Sequence, residues 1–147
     1  MVNRYNRQTV KEFDIYADAW FHITRKGGHF TNHNHPMASW SAVYCVDAGV
    51  DKDDSPNSGV TRFFHPNPAA SNYLDAGNLN MTKNHFSYGH QNFKLQSGQI
   101  IIFPSWLNHE VSQYTGNLER IVIAANFWFH HPNMNPQIGP LIHKGQR

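Results

Sequence analysis

The stretch Gly27-Gly28-His29-Phe30-Thr31-Asn32-His33-Asn34-His35-Pro36 decides how this chain reads, together with Phe103-Pro104-Ser105-Trp106-Leu107-Asn108-His109 further on. Aromatic and β-branched residues precede it in Trp20-Phe21-His22-Ile23-Thr24, a strand by composition, and Lys26-Gly27-Gly28 turns the chain. Residues 29–35 return as a second strand, which Pro36 stops because it has no amide hydrogen to give a ladder. Side chains two apart on a strand share a face, so His33 and His35 project together, about 6 to 7 Å apart along the strand. Two imidazoles so placed can share a metal ion, and His109 can close a triangle with them.

Working outward, the same two-residue period recurs. Trp40–Val46 is a clear strand ended by Asp47-Ala48-Gly49, and Val60–His65 is another, closed by Pro66 and Pro68. After Gly98 the continuous apolar run Gln99–Phe103 reads as a strand buried on both faces, ended by Pro104. His109–Tyr114 is a short strand and Arg120–Phe129 a long one. Lys11–Tyr16 fits a short helix or an edge strand. Residues 47–60 form a polar loop too rich in turn formers to pack a core, and 67–92 are irregular. Pro132, Pro136 and Pro140 punctuate an extended tail over 131–147. About eight strands, no amphipathic helix and no repeat predict an all-β, antiparallel double-stranded β-helix (jelly roll, cupin-like). The 147 residues suit one domain with its core at about 20–130.

Composition narrows the function classes. Lys and Arg total 12 against 10 Asp and Glu, with no basic run, so neither nucleic acid nor an anionic membrane is an expected partner. One cysteine, Cys45, excludes an internal disulfide; it falls in an apolar strand as a buried, inert thiol and suits a reducing cytosol. No apolar leader and no run of about 18 apolar residues appear, so a cytoplasmic protein outside the membrane is expected. The 11 histidines are compatible with metal binding.

Gly27, five residues and His33-x-His35 resemble the first cupin motif; Gly98, five residues, Pro104 and then His109 resemble the second. The glutamate of the first motif is absent, its window holding Met37, Ala38, Ser39 and Trp40. A closer resemblance spans about 20–128. Trp20, Gly27-Gly28, His33-x-His35-Pro36, Trp40-Ser41-Ala42-Val43-Tyr44, Gly98, Phe103-Pro104-Ser105-Trp106-Leu107-x-His109-x-Val111, Arg120-Ile121 and Asn126-Phe127 follow in order. This string resembles a family of small 2-oxoglutarate/Fe(II)-dependent oxygenases related to prolyl-hydroxylase-type enzymes.

The resemblance implies Fe(II) as cofactor and 2-oxoglutarate as cosubstrate, with hydroxylation of a small molecule or peptide as the default reaction. His33 is then the first iron ligand and His109 the distal one. Arg120, eleven residues after His109, matches the residue that clamps the far carboxylate of the keto acid, a task for a planar, permanently charged fork. His35 stands where the wider superfamily has aspartate. Either it is the third ligand, the preferred reading, or a carboxylate from Asp47, Asp75 or Glu110 completes the set. Asn126, with Arg120, Val122 and Ala124 on one face of the last strand, is expected on the cosubstrate side; Asn32, Asn108 and Asn126 are candidates to orient the imidazoles. His65 is a reserve ligand, and His85 and His90 can approach from the loop region. The tail histidines His130, His131 and His143 read as exposed. Trp20, Trp40, Trp106 and Trp128 read as core or rim packing, and Asp51-Lys52-Asp53-Asp54 as a solvated loop. Two further readings stand beside the oxygenase: a cupin-like three-histidine enzyme that uses no 2-oxoglutarate, and a jelly-roll binding module without catalysis. The shortage of flanking helix in residues 1–19 raises a homodimer that covers exposed sheet.

Overall fold

In the computed structural model, which describes residues 13–49, 55–66 and 89–130, two long strands set the frame. β1 (Asp14–Thr24) and β8 (Arg120–His130) pair antiparallel over their full length, from Asp14 opposite His130 to Thr24 opposite Arg120. β3 (Trp40–Asp47) pairs with the other edge of β8, and β6 (Ile100–Pro104) completes a sheet in the order β1-β8-β3-β6. β2 (Phe30–His33), β7 (His109–Val111), β4 (Thr61–Phe64) and β5 (His90–Phe93) form the second sheet, β2-β7-β4-β5. Every pairing is antiparallel, and the chain mostly changes sheet from one strand to the next. This is the double-stranded β-helix expected from the periodicity.

The core lies between the sheets. Cys45, Ala48, Leu95 and Val122 are buried together, with Val43 and Ile101 packed against them. Beside them Phe63 stands edge-on to Phe103 at 4.7 Å, and Phe103 to His109 at 4.8 Å, so the aromatic core runs directly into the histidines. Burial raises the pKa of the Cys45 thiol, which keeps it protonated and inert as expected.

Five local expectations change. β2 ends at His33 rather than His35, because β7 begins at His109 and offers nothing further to pair with. His35 instead gives its N–H to Ser105 O at 2.9 Å and opens a turn in which Pro36 and Met37 are central, Met37 with φ +73°. The apolar run of β6 is buried on one face only: Phe103 is 4% exposed but Ile100 and Ile102 are 58% and 60% exposed, as befits an edge strand. Ala48 and Ser58, read within a polar loop, are buried. β5 was not foreseen, and the strand at 109–114 stops at Val111. Lys11 and Glu12 lie outside the described residues, as do residues 50–54, 67–88 and 131–147; Asp14–Tyr16 belong to β1.

Beyond Val111, Tyr114 (1% exposed) turns inward and donates its hydroxyl to Gly49 O at 2.6 Å. Gly49 has φ +62°, and a Cβ there would collide with the Tyr114 hydroxyl and press on Glu119 O. Tyr114→Phe should therefore cost about 1 kcal/mol in denaturant unfolding, the net worth of one hydrogen bond. Gly49→Ala, which combines the collision with a left-handed backbone, should cost more than Tyr114→Phe in the same measurement.

Candidate metal centre

His33 closes β2 and His109 opens β7, and the antiparallel register sets the two directly opposite each other. Their ring centroids are 4.3 Å apart. His35, carried past the strand end, stacks on His33 at 5.4 Å and reaches His109 at 5.1 Å. One nitrogen from each ring lies within 4.8 Å of the others, so the three expected ligands converge.

The other nitrogens show that this donor set fits a metal. His33 Nδ1 lies 2.7 Å from Thr31 O, and His109 Nδ1 lies 3.0 Å from Leu107 O, each the carbonyl two residues upstream. A carbonyl only accepts, so both Nδ1 atoms carry the proton and both Nε2 lone pairs are free to ligate. His35 Nδ1 lies 2.6 Å from Asn126 Oδ1. Asn126, expected on the cosubstrate side, is thus engaged with one of the three clustered histidines, whereas Asn32 and Asn108 have no side-chain hydrogen bond to the cluster among the described residues. Among the described residues no carboxylate joins the group. Asp47 accepts from Gly49 N, Glu110 pairs with Arg62 at 3.1 Å, and Asp75 lies outside the described residues. Neither His65 nor His90 belongs to the group; His85, His131 and His143 are not among the described residues.

A cavity of about 60 Å³ opens between the sheets beside the histidines, its wall including Arg120, His22 and Thr61. Arg120, Val122 and Ala124 face it from β8, as the alternation predicts. Arg120 is 3% exposed, and among the described residues its guanidinium has neither a hydrogen bond nor an ion pair. Gly59 is packed so closely that a Cβ would come within 3.2 Å of Arg120 Cδ. Burial lowers the pKa of Arg120, although a guanidinium stays charged.

His22 was not anticipated as a site residue. Trp20 Nε1–H donates to its Nε2 at 2.7 Å, and burial, followed by the charges of Arg120 and His33, lowers its pKa, so the ring is neutral with its proton on Nδ1. Its only sequence signal is the i, i+2 spacing from Trp20 and Thr24. Trp20 itself lines the cavity, Trp40 and Trp106 are exposed, and Trp128 donates to Met37 O.

Residues 18–126 match the family described as "Putative 2OG-Fe(II) oxygenase". The chain belongs to this 2-oxoglutarate/Fe(II) oxygenase family. No curated protein matches it. Among solved structures, this family member is similar in fold to a Pseudomonas putida prolyl-4-hydroxylase, with 17% identity, a TM-score of 0.52, and coverage of 76% of this chain and 51% of that one. It is also similar to a 2OG-Fe(II) oxygenase family oxidoreductase from Burkholderia pseudomallei (14%, TM-score 0.52, 78% and 45%). A third is EvdO2 from Micromonospora carbonacea var. aurantiaca complexed with 2-oxoglutarate (13%, TM-score 0.51, 92% and 60%). The chain spans about half the length of the first two.

Within this oxygenase-family site His109 is 3% exposed, and burial above all, with His33 and His35 adding to it, lowers its pKa to about 4 against the pull of the Leu107 carbonyl. The unfolded chain therefore binds a proton that the folded one refuses between about pH 4 and 6.5. Metal-free protein should hold this stability above pH 6.5 and lose it on acidification towards pH 4, with a slope of up to about 1.4 kcal/mol per pH unit. Denaturant unfolding at a series of pH values checks this, and the slope should flatten in His109→Gln.

Proposed function

We propose that this chain is an Fe(II)- and 2-oxoglutarate-dependent oxygenase in which His33, His35 and His109 hold the iron and Arg120 receives the distal carboxylate of the keto acid. The observation that carries this reading is Arg120: a buried cation without a partner among the described residues, in the same cavity as three converging imidazoles. An unpaired buried charge is expensive to keep, and a carboxylate ligand accounts for it. Three neutral imidazoles leave a divalent ion its full charge, and with Arg120 they make the cavity a receptor for a dianion. The cavity of about 60 Å³ beside the histidines has room for a few waters, which a bound carboxylate would displace.

Each residue then has a task. Arg120 grips the far carboxylate bidentately and orients the keto acid towards the histidines. His109 stays neutral near pH 7, as a ligand must. Val122 and Ala124 keep the wall apolar and small, which excludes water and strengthens the Arg120 contact. Iron bound there supplies dioxygen activation coupled to decarboxylation of the keto acid to succinate. The product of the default reaction is a hydroxylated small molecule or peptide side chain. A cupin-like reaction without a keto acid, or a binding module, leaves Arg120 without a counter-charge. The buried thiol of Cys45 accords with a reducing compartment, and we place the protein in the cytosol.

Anaerobic Fe(II) titration with and without 2-oxoglutarate tests the reading through the weak visible metal-to-ligand charge-transfer band. The band should appear only with both additions. In Arg120→Leu the keto-acid Kd should rise about 30-fold or more, while Co(II) affinity without keto acid is retained. A wild-type protein that binds metal but never develops the band would sink the oxygenase reading.

A further inference from the structure

His35 stands where a carboxylate would need no tautomer, so something must decide which of its nitrogens carries the proton. A proton on Nε2 would block the lone pair that faces the cluster. We propose that a buried hydroxyl chain from Ser105 through Ser41 to Asn126 fixes His35 as the Nδ1–H tautomer and so makes it a metal ligand. Ser41, Ser105 and Asn126 are positioning residues. The inference rests on metal binding at the three histidines and not on the keto acid.

Proton placement can be followed from the far end. Ser105 is 0% exposed, and among the described residues the hydroxyl of Ser41, at 2.7 Å, is its one hydrogen-bond partner. A buried hydroxyl that donates to nothing loses its solvation without return, so Ser105 donates to Ser41. Ser41, also 0% exposed, has then filled its near acceptor position and must pass its single proton on. Asn126 Oδ1 lies 2.8 Å away. The oxygen is the atom turned towards Ser41, which gives it that proton. With Oδ1 turned towards Ser41, the same atom lies 2.6 Å from His35 Nδ1 and can only accept. His35 Nδ1 therefore carries the proton, and Ser41 Oγ, 3.2 Å away, supports the same arrangement.

The opposite chain is poorer at one place. If Asn126 presented its amide nitrogen, Ser41 Oγ, already accepting from Ser105, would accept a second time and could give its proton only to His35 Nδ1 across the longer 3.2 Å contact, in place of the 2.8 Å bond to Asn126 Oδ1. Ser105, by filling one acceptor position of Ser41, biases the amide orientation two hydrogen bonds away, and through it the tautomer. The chain joins β3, the turn after β6, and β8, each of which contributes one member. His33 and His109 need no such device, since a backbone carbonyl holds each.

The test uses nitrogen-15 NMR of the imidazoles in metal-free protein and Co(II) titration by calorimetry. Wild type should show His35 as Nδ1–H. Ser105→Ala should give a mixture of His35 tautomers and a Co(II) affinity lowered about tenfold, the lower end of the loss seen when an orienting partner of a ligand is removed. His33 and His109 should keep Nδ1–H, which verifies the fold in the same spectrum. Ser105→Ala/Asn126→Asp should restore both readouts, because a carboxylate accepts from His35 whichever way it turns. A wild-type His35 protonated at Nε2, an unchanged tautomer and affinity in Ser105→Ala, or a loss that Asn126→Asp does not rescue would each overturn the proposal. Wild type that shows the Nδ1–H tautomer but binds no Co(II) would overturn the metal reading along with the proposed ligand role, whereas Co(II) binding without the charge-transfer band would leave the tautomer lock standing and remove only the oxygenase reading.

Discussion

The pairing of β2 with β7 is the constraint on which the site depends, because it alone sets His33 across from His109. A slip by one residue would turn one of the two imidazoles to the opposite face of the sheet. The register is held from both ends. On one side Gly27 N bonds Tyr114 O and Tyr114 N bonds Gly28 O, at 2.7 and 2.8 Å. On the other, His35 N bonds Ser105 O, and the tight turn from Pro104 to Leu107 brings the chain back to His109. β4 fixes β7 from its free edge, with Phe63 opposite His109 and packed on its ring at 5.5 Å. The strands are short, so these flanking bonds carry the specificity that a longer ladder would otherwise supply.

Much of this was legible in the sequence because the site residues sit in segments with strong punctuation. Gly27-Gly28, Pro36, Gly98 and Pro104 delimit the strands, and the two-residue period of β8 puts Arg120, Val122, Ala124 and Asn126 on one face. The illegible parts share a physical cause. β5, His90-Gln91-Asn92-Phe93, is exposed at all four positions, so it has no apolar alternation to read. The end of β2 depends on where its partner begins, a fact held by residues about seventy positions away. The i, i+2 argument placed His33 and His35 together, but the structure achieves this through a turn rather than a continued strand. Ser41 and Ser105 were visible within their motifs as residues, yet their 2.7 Å contact joins positions that only the assembled sheet brings together.

At Arg120 the proposed function and packing are opposed. Its methylenes are gripped by Gly59, whose missing side chain leaves the space, while its charged end lacks a protein partner among the described residues. A sequence selected for stability alone would place an acid or an apolar residue there. The apolar core of Cys45, Leu95 and Val122 does nothing to solvate that charge; its own burial offsets the cost.

The three histidines also belong to different halves of the sandwich. His33 and His109 are members of the β2-β7-β4-β5 sheet, whereas His35 is anchored through Asn126 and Ser41 to β8 and β3 of the other. An ion held by all three would brace one sheet against the other at mid-thickness, as the inter-sheet disulfide does in immunoglobulin domains. Because it would bind the folded chain and not the unfolded one, it would also add to stability by mass action. In a chain with one cysteine, coordination bonds could do the mechanical work of a crosslink, and the proposed metal centre would then double as the rivet of its own scaffold.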